Sequence, residues 1–298
     1  RQAIVDWDQS GPASAESSTS VTRKTDNSEL MPGLWHRLSH VAARRLPLLG
    51  HCIAVTRPFV SFTFDDFPAS AARIGAGLLE RNGACGTFYA ATDLIDGPHD
   101  LWRMATREDI AALDAMGHEI GWHTHSHGLA WQYDASRLSE EYERSVRYLA
   151  GAAPQARFET FAYPFGIGCY WRKRQLSSMV RGARSVHPGV NRGWIDPGFL
   201  RAIDLSPHVT DMARIRALLD EAVRAPGWVI FFTHDVDDNP TRFGTTPGLL
   251  AAAIAAARDA GVPVAPVCEV LDQFGVPWLD GPRSPACPAS PATASDPG

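Results

Sequence analysis

The chain has 298 residues, 45% of them hydrophobic, enough to fill one large α/β core or two modest ones. A formal net charge of -5 and a pI near 6.1 exclude a general nucleic-acid binder, which would carry a basic surplus or stripe. Five cysteines (Cys52, Cys85, Cys169, Cys268, Cys287) without CxxC spacing exclude a thiolate zinc site and a dense disulfide framework, leaving room for a single bridge.

In chain order, Asp8 to Ser28 is rich in Ser, Thr and charge and holds no aromatic residue, so residues 1–33 are expected to form a flexible arm. Leu34 to Arg45 spaces Leu34, Leu38, Val41 and Ala42 as a helical face with Arg37, Arg44 and Arg45 elsewhere; a helix closing the bottom of the domain is preferred to a basic contact with an anionic surface. Residues 34–57 form this lead-in. FVSFTF (59–64) then alternates as a strand, Ala71, Ile74 and Leu78 mark a helix, CGTFYAA (85–91) is a strand, and Ile110, Leu113 and Met116 mark a helix before HEIGW. Leu138, Tyr142, Val146 and Leu149 give a helical stripe, with Glu143 and Arg147 as an i,i+4 pair. FETFAYPFG is a strand and turn, Met212, Ile215 and Leu219 a helix, WVIFFTH (228–234) a buried strand, and Leu250, Ile254 and Ala257 the last long helix. The apolar run from Leu249 to Ala257 is half the length of a membrane span, so no transmembrane segment is expected. Five prolines in residues 281–298 predict an extended tail, leaving 58–280 as the working domain. Because the sequence starts at Arg1, loss of an export signal or anchor is compatible with it, and the compartment is left open.

Strands alternating with helices imply a parallel sheet, and without GxGxxG or a P-loop the expected fold is a closed or partly closed distorted (β/α) barrel with outer helices. In such barrels the chemistry sits at the C-terminal ends of the strands. Asp65 and Asp66 follow FVSFTF, His123 to His127 follow HEIGW, Tyr163 and Phe165 follow FETF, and His234 and Asp235 follow WVIFF. His123 and His127 are four apart and would face one way on a single helical turn, with His125 pointing elsewhere; with Asp65 or Asp66 they form a three-ligand metal set that leaves a position for water. His118 and His125 are read as neighbours rather than ligands. Nitrogen and oxygen donors suit zinc, with cobalt, nickel or manganese as alternatives.

The ordered blocks TFDD (63–66), GHEIGWHTHSH (117–127), FAYPFG (161–166) and FFTHD (231–235) resemble the NodB-homology polysaccharide deacetylases, carbohydrate esterase family four, over residues 58 to 275. The resemblance implies a (β/α) barrel of fewer than eight repeats. It implies Asp66, His123 and His127 as metal ligands, Asp65 as base, His234 as acid, Phe165 as the backbone donor of an oxyanion hole, and Phe232 as a wall of the acetyl pocket. The implied substrate is an N-acetylated oligo- or polysaccharide, and Tyr163 and Arg201 complete the expected substrate-binding set. The chemistry is consistent: a bound divalent cation brings a water pKa from 15.7 to about 7, and an amine leaves only if protonated, a step worth about 10² to 10⁴ in rate.

Two departures stand out. The family's third motif begins with an arginine that pairs with the catalytic aspartate, and here the position is Ala162; Arg201 is the expected substitute. The fourth motif, whose aspartate and tryptophan adjust the acid histidine, has no clear copy. Trp122, Trp131, Trp171 and Trp194 lie in or near predicted loops, where an indole can face a sugar ring or simply pack on the rim. The rival functions are hydrolysis of a small non-sugar amide at the same metal site and a degenerate glycan-binding barrel.

Overall fold

The computed structural model describes residues 33–48 and 52–276; the expected tail and all of the expected arm except Gly33 lie outside them. Helix α1 (Leu34–Arg45) and strand β1 (Ile53–Val55) lead into a regular alternation. It runs β2 (Phe59–Phe64), α2 (Ala76–Glu80), β3 (Thr87–Ala90), α3 (Arg107–Ala115), β4 (Glu119–Trp122), α4 (Ala135–Ala152), β5 (Thr160–Ala162), α5 (Tyr170–Met179) and β6 (Gly182–Arg184). The remainder comprises β7 (Asn191–Ile195), β8 (Ile203–Asp204), α6 (Met212–Arg224), β9 (Gly227–Thr233), α7 (Pro247–Asp259) and α8 (Val267–Gln273). Side-chain caps start the long helices. Asp134, Asp211 and Thr246 each accept from a backbone N–H one turn on, and Thr106 with Asp109 forms a reciprocal capping box on α3.

Strands β9, β2, β3, β4, β5 and β6 are parallel neighbours in that order. The longest ladder runs from the Phe59–Trp228 pair to the Phe64–Thr233 pair. The sheet curls back on itself: Leu200 bridges Arg184 of β6, and three residues later β8 pairs in parallel with β9. The expected distorted (β/α) barrel therefore forms. An antiparallel pair, β7 on the start of β9 and β1 on β7, is added to it, an element absent from the sequence expectation.

One core lies between strands and helices. Phe62, Phe64, Phe88, Trp122, Phe161 and Phe231 are each at most 1% exposed there, against Leu79, Ile110, Leu138, Ile215 and Ile254. Each fully buried ring contributes about 1.5–3 kcal/mol against about 1 for a typical net hydrogen bond, so this layer drives folding. The opposite parity lines the barrel interior, which is partly polar. Glu119, at the start of β4, accepts from Thr87 Oγ1 at 2.8 Å and from the Cys268 N–H at 2.9 Å. Helix α8 is thereby tied across the N-terminal ends of the strands, which leaves the other end for chemistry.

Helix α1 does not close the bottom. Its His40 Nδ1 accepts from the Gly168 N–H at 3.1 Å and its Ser39 Oγ from the Tyr170 N–H at 3.0 Å, while buried Lys173 donates to the Ala43 and Leu46 carbonyls and pairs with Asp196. The helix thus lies against the segment that leaves the C-terminal end of β5. Small residues on one side of α1 (Ser39, Ala43) fit this close approach, and Leu34, Leu38 and Val41 face outward.

Candidate active site

Strand β2 ends by breaking the extended backbone. Asp65 still donates its N–H to the Thr233 carbonyl at 2.9 Å, but Asp66 (φ 63°) and Phe67 (φ 72°) turn left-handed, sending the two adjacent carboxylates to different places. Strand β4 ends in the same manner. The expected helical turn over 123–127 is not made; Thr124 (φ 61°) and His127 (φ 53°) are left-handed, and this looped path is what points both imidazoles inward. The loop is braced twice. Thr124 Oγ1 accepts from the Gly128 N–H at 3.1 Å, and the buried Glu141 carboxylate, reaching over from α4, accepts from the N–H groups of His125 and Ser126 at 3.0 and 2.9 Å.

His123 Nε2 and His127 Nε2 lie 3.3 and 3.0 Å from Asp66 Oδ1, and one ligand atom from each of the three residues falls within 4.8 Å of the others. His123 Nδ1 is 2.8 Å from the Ala162 carbonyl, which can only accept; the ring therefore donates there and turns a bare Nε2 lone pair to the site. Asp66 Oδ1 is buried and, among the described residues, receives no hydrogen bond of good geometry from the two nearby nitrogens. Lone pairs converging on a buried point without a proton between them fit a divalent cation. Burial alone would raise Asp66, but the His127, His123 and His234 imidazoles outweigh it and hold its carboxyl well below the usual carboxylate range. Burial likewise opposes charge on His127, and the Asp66 carboxylate, with Asp65 behind it, raises that imidazole nonetheless.

Asp65 does not join this cluster of three. It forms an ion pair with Arg184, whose guanidinium is fully buried between the rings of Tyr89 and Phe232 at 5.1 and 5.2 Å. Ala162 and Arg184 are direct partners across the β5–β6 ladder, so the positive charge missing from position 162 is supplied by the residue beside it on the next strand. Arg201, the expected substitute, is exposed and donates to the Pro188 carbonyl instead. Gly121 makes the arrangement possible, because a side chain there would collide with the Tyr89 ring that backs the guanidinium.

At the end of β9, His234 places Nε2 3.8 Å from Asp66 Oδ2 and Nδ1 3.3 Å from the Phe243 carbonyl. Its ring stacks on Trp102 (centroids 5.5 Å, planes 20° apart), and Trp102 stacks in turn on His99 at 4.9 Å. An indole and a carbonyl thus flank the His234 ring, from loops that carry no fourth-motif pattern. Asp235 does not serve His234; its carboxylate accepts from the Thr241 N–H and hydroxyl.

Phe165, expected as a backbone donor, is left-handed (φ 57°), 47% exposed, and 4.8 Å from the His127 ring. Phe232 is buried against Arg184 beneath the carboxylates. Tyr163 corrects an expectation. It shares the outward parity of Phe161, packs on Phe161 and Phe199, and donates its hydroxyl to the Gly198 carbonyl at 3.0 Å, away from the site. His118 accepts from the Gly86 N–H and His125 hydrogen-bonds Thr92, both outside the ligand set as expected. Trp122 is core, its indole N–H donating to Ser145. Among the described residues, Cys52, Cys85, Cys169 and Cys268 form no disulfide.

Residues 53–177 match the polysaccharide deacetylase family model. No curated protein matches the sequence. Among solved structures, the chain resembles a family 4 acetyl xylan esterase from Clostridium thermocellum in complex with a cobalt ion (20% identity, TM-score 0.53, covering 74% of this chain and 93% of that one). It also resembles the chitin deacetylase of the fungal pathogen Colletotrichum lindemuthianum (16%, 0.53, 76% and 91%). A mutant of a family-four pseudoenzyme with restored enzymatic activity shares the fold at 16% identity, TM-score 0.52, 75% and 71% coverage.

Proposed function

We propose that this barrel is a NodB-homology polysaccharide deacetylase of carbohydrate esterase family four, and that it removes N-acetyl groups from a glycan with Asp65 as base and His234 as acid. The observation that carries the reading is the meeting of Asp66, His123 and His127 within 4.8 Å of one another at the barrel end that also holds Asp65 and His234.

In this reading Asp66, His123 and His127 hold a divalent cation, zinc by its donor set and cobalt, nickel or manganese as alternatives. When bound, the cation supplies Lewis acidity, making water nucleophilic near neutral pH and polarising the acetyl carbonyl. Asp65, kept off the ligand set by Arg184, accepts the proton of the attacking water. Phe165 offers its backbone N–H to the oxygen that gains charge at the tetrahedral carbon, and Phe232 walls the space for the methyl group. His234 is oriented by the Phe243 carbonyl and Trp102 so that Nε2 faces the site, and it protonates the departing amine.

The test is metal content measured together with acetate release from acetylated oligosaccharides. Bound metal with stoichiometric acetate supports the reading. Bound metal without acetate from any glycan would move the activity to small non-sugar amides, and loss of both metal and turnover would leave a glycan-binding barrel.

A further inference from the structure

Beside the candidate site, on the same end of the barrel, a cavity of about 170 Å³ opens between α1, the loop after β4 and the start of α5, lined by Trp35, His36, Trp131, Tyr133, Trp171 and Arg172. Its walls are continuous with the site. Tyr133 is hydrogen-bonded to Ser126, the neighbour of His127, at 2.9 Å, and Trp131 packs with Leu129 on Ile167, two residues beyond Phe165. Arg172 Nε donates to the Tyr133 carbonyl at 2.9 Å, fixing the loop to α5. The cavity would therefore keep its place relative to the reacting groups.

The lining has a specific chemistry. Trp35 is 74% and Trp171 66% exposed, an unusual state for the side chain with the most apolar surface to bury. His36 packs on Trp131 at 4.0 Å between centroids, and both His36 Nδ1 and Trp131 Nε1 are buried without a hydrogen-bond partner among the described residues. Flat aromatic faces beside unpaired polar atoms suit a ligand that is apolar on its ring faces and hydroxylated on its rim. A purely apolar ligand would leave those polar atoms unpaired, which costs binding energy, and an anion has only the edge of one arginine to meet.

We propose that this cavity is a distal subsite that holds sugar rings of the same N-acetylated polymer, beyond the ring being deacetylated. The inference rests on the deacetylase reading and adds to it a preference for long chains. Helix α1 takes part directly through Trp35 and His36, which gives the lead-in segment a function in substrate binding.

The test is a chain-length series of acetylated chitooligosaccharides, from dimer to hexamer, on the parent and on Trp35→Ala and Trp171→Ala. Both side chains are largely exposed, so the variants keep the fold. Each is expected to lose about tenfold in kcat/KM on the hexamer, through KM, with the dimer unchanged; Trp171→Phe should restore most of the loss. Equal KM for the hexamer in parent and both variants, while acetate is still released, overturns the subsite. An equal loss on dimer and hexamer also overturns it, since the effect would then lie at the reacting ring. Absence of acetate from every oligomer in the parent would instead fail the deacetylase reading itself.

Discussion

Replacing Arg184 by methionine would strand the Asp65 carboxylate in a barrel interior where the guanidinium is its buried partner. Removing one member of a buried pair costs about 3–5 kcal/mol, because the remaining charge stays desolvated. For a domain of this size each kcal/mol moves Tm by about 2–4 °C, so the variant should melt roughly 6–20 °C lower. Asp65 would also lose the guanidinium that orients it as base, so turnover should fall by about 10² or more. Two companions separate structure from chemistry. In Asp65→Asn/Arg184→Met neither charge remains, so most of the lost stability should return without activity. In Ala162→Arg/Arg184→Ala the charge moves across one ladder position to the neighbouring strand, and a measurable part of both stability and activity should return. Thermal melts and acetate assays of the parent, Arg184→Met, Arg184→Ala and the two double variants decide the matter. Arg184→Met with parental Tm and parental turnover would refute the account, as would failure of the strand-swapped variant to improve on Arg184→Ala in either readout.

The remaining expectations concern the same end of the barrel. Asp65→Asn should keep metal and nearly abolish turnover, His125→Ala should be mild, and Asp66→Ala should lose the metal. Metal analysis showing equal loss in Asp65→Asn would reverse the two carboxylate roles. Glu141→Ala leaves the His125 and Ser126 N–H groups without their acceptor, and metal affinity should weaken by about 10- to 100-fold, read by competition with a chelator. Burial, then the nearby Arg44, Arg201 and His40, push the His187 imidazole down to about 4. A depressed folded value means that stability is full above the ordinary 6.5 and is lost as pH falls through 4. His187→Asn should therefore lose less stability than the parent over that window in urea melts at stepped pH.

The candidate ligands were legible because strands that end in polar residues announce themselves. TFDD, HTHSH and THD each interrupt an apolar run, and the barrel rule puts such interruptions together. What was hidden depended on strand parity and pairing. Tyr163 sits in the same short block as Phe165, yet alternation sends it outward, and only the turn at Pro164 brings Phe165 back to the mouth. Arg184 has no sequence signal of its own, since GAR is too short to read as a strand; its role comes from lying opposite Ala162. Arg201 followed an equally plausible run but points to the outside. Glu141 looks in the sequence like any polar position on α4, because its contact with the Ser126 N–H spans fifteen residues of chain. Trp102 acts from the 93–105 loop, which has no periodicity to read.

Five of the six described non-glycine residues with left-handed torsions, Asp66, Phe67, Thr124, His127 and Phe165, belong to the site segments. Each runs against the intrinsic preference of an L-residue by about 1–2 kcal/mol, a debt that the surrounding barrel carries. A short synthetic peptide spanning HTHSH, or TFDDF, would hold the same donor atoms yet relax into other shapes and capture metal weakly. On the proposed reading, metal affinity would be a property of the assembled scaffold, and partial unfolding that frees these turns should release a bound ion before the rest of the protein melts.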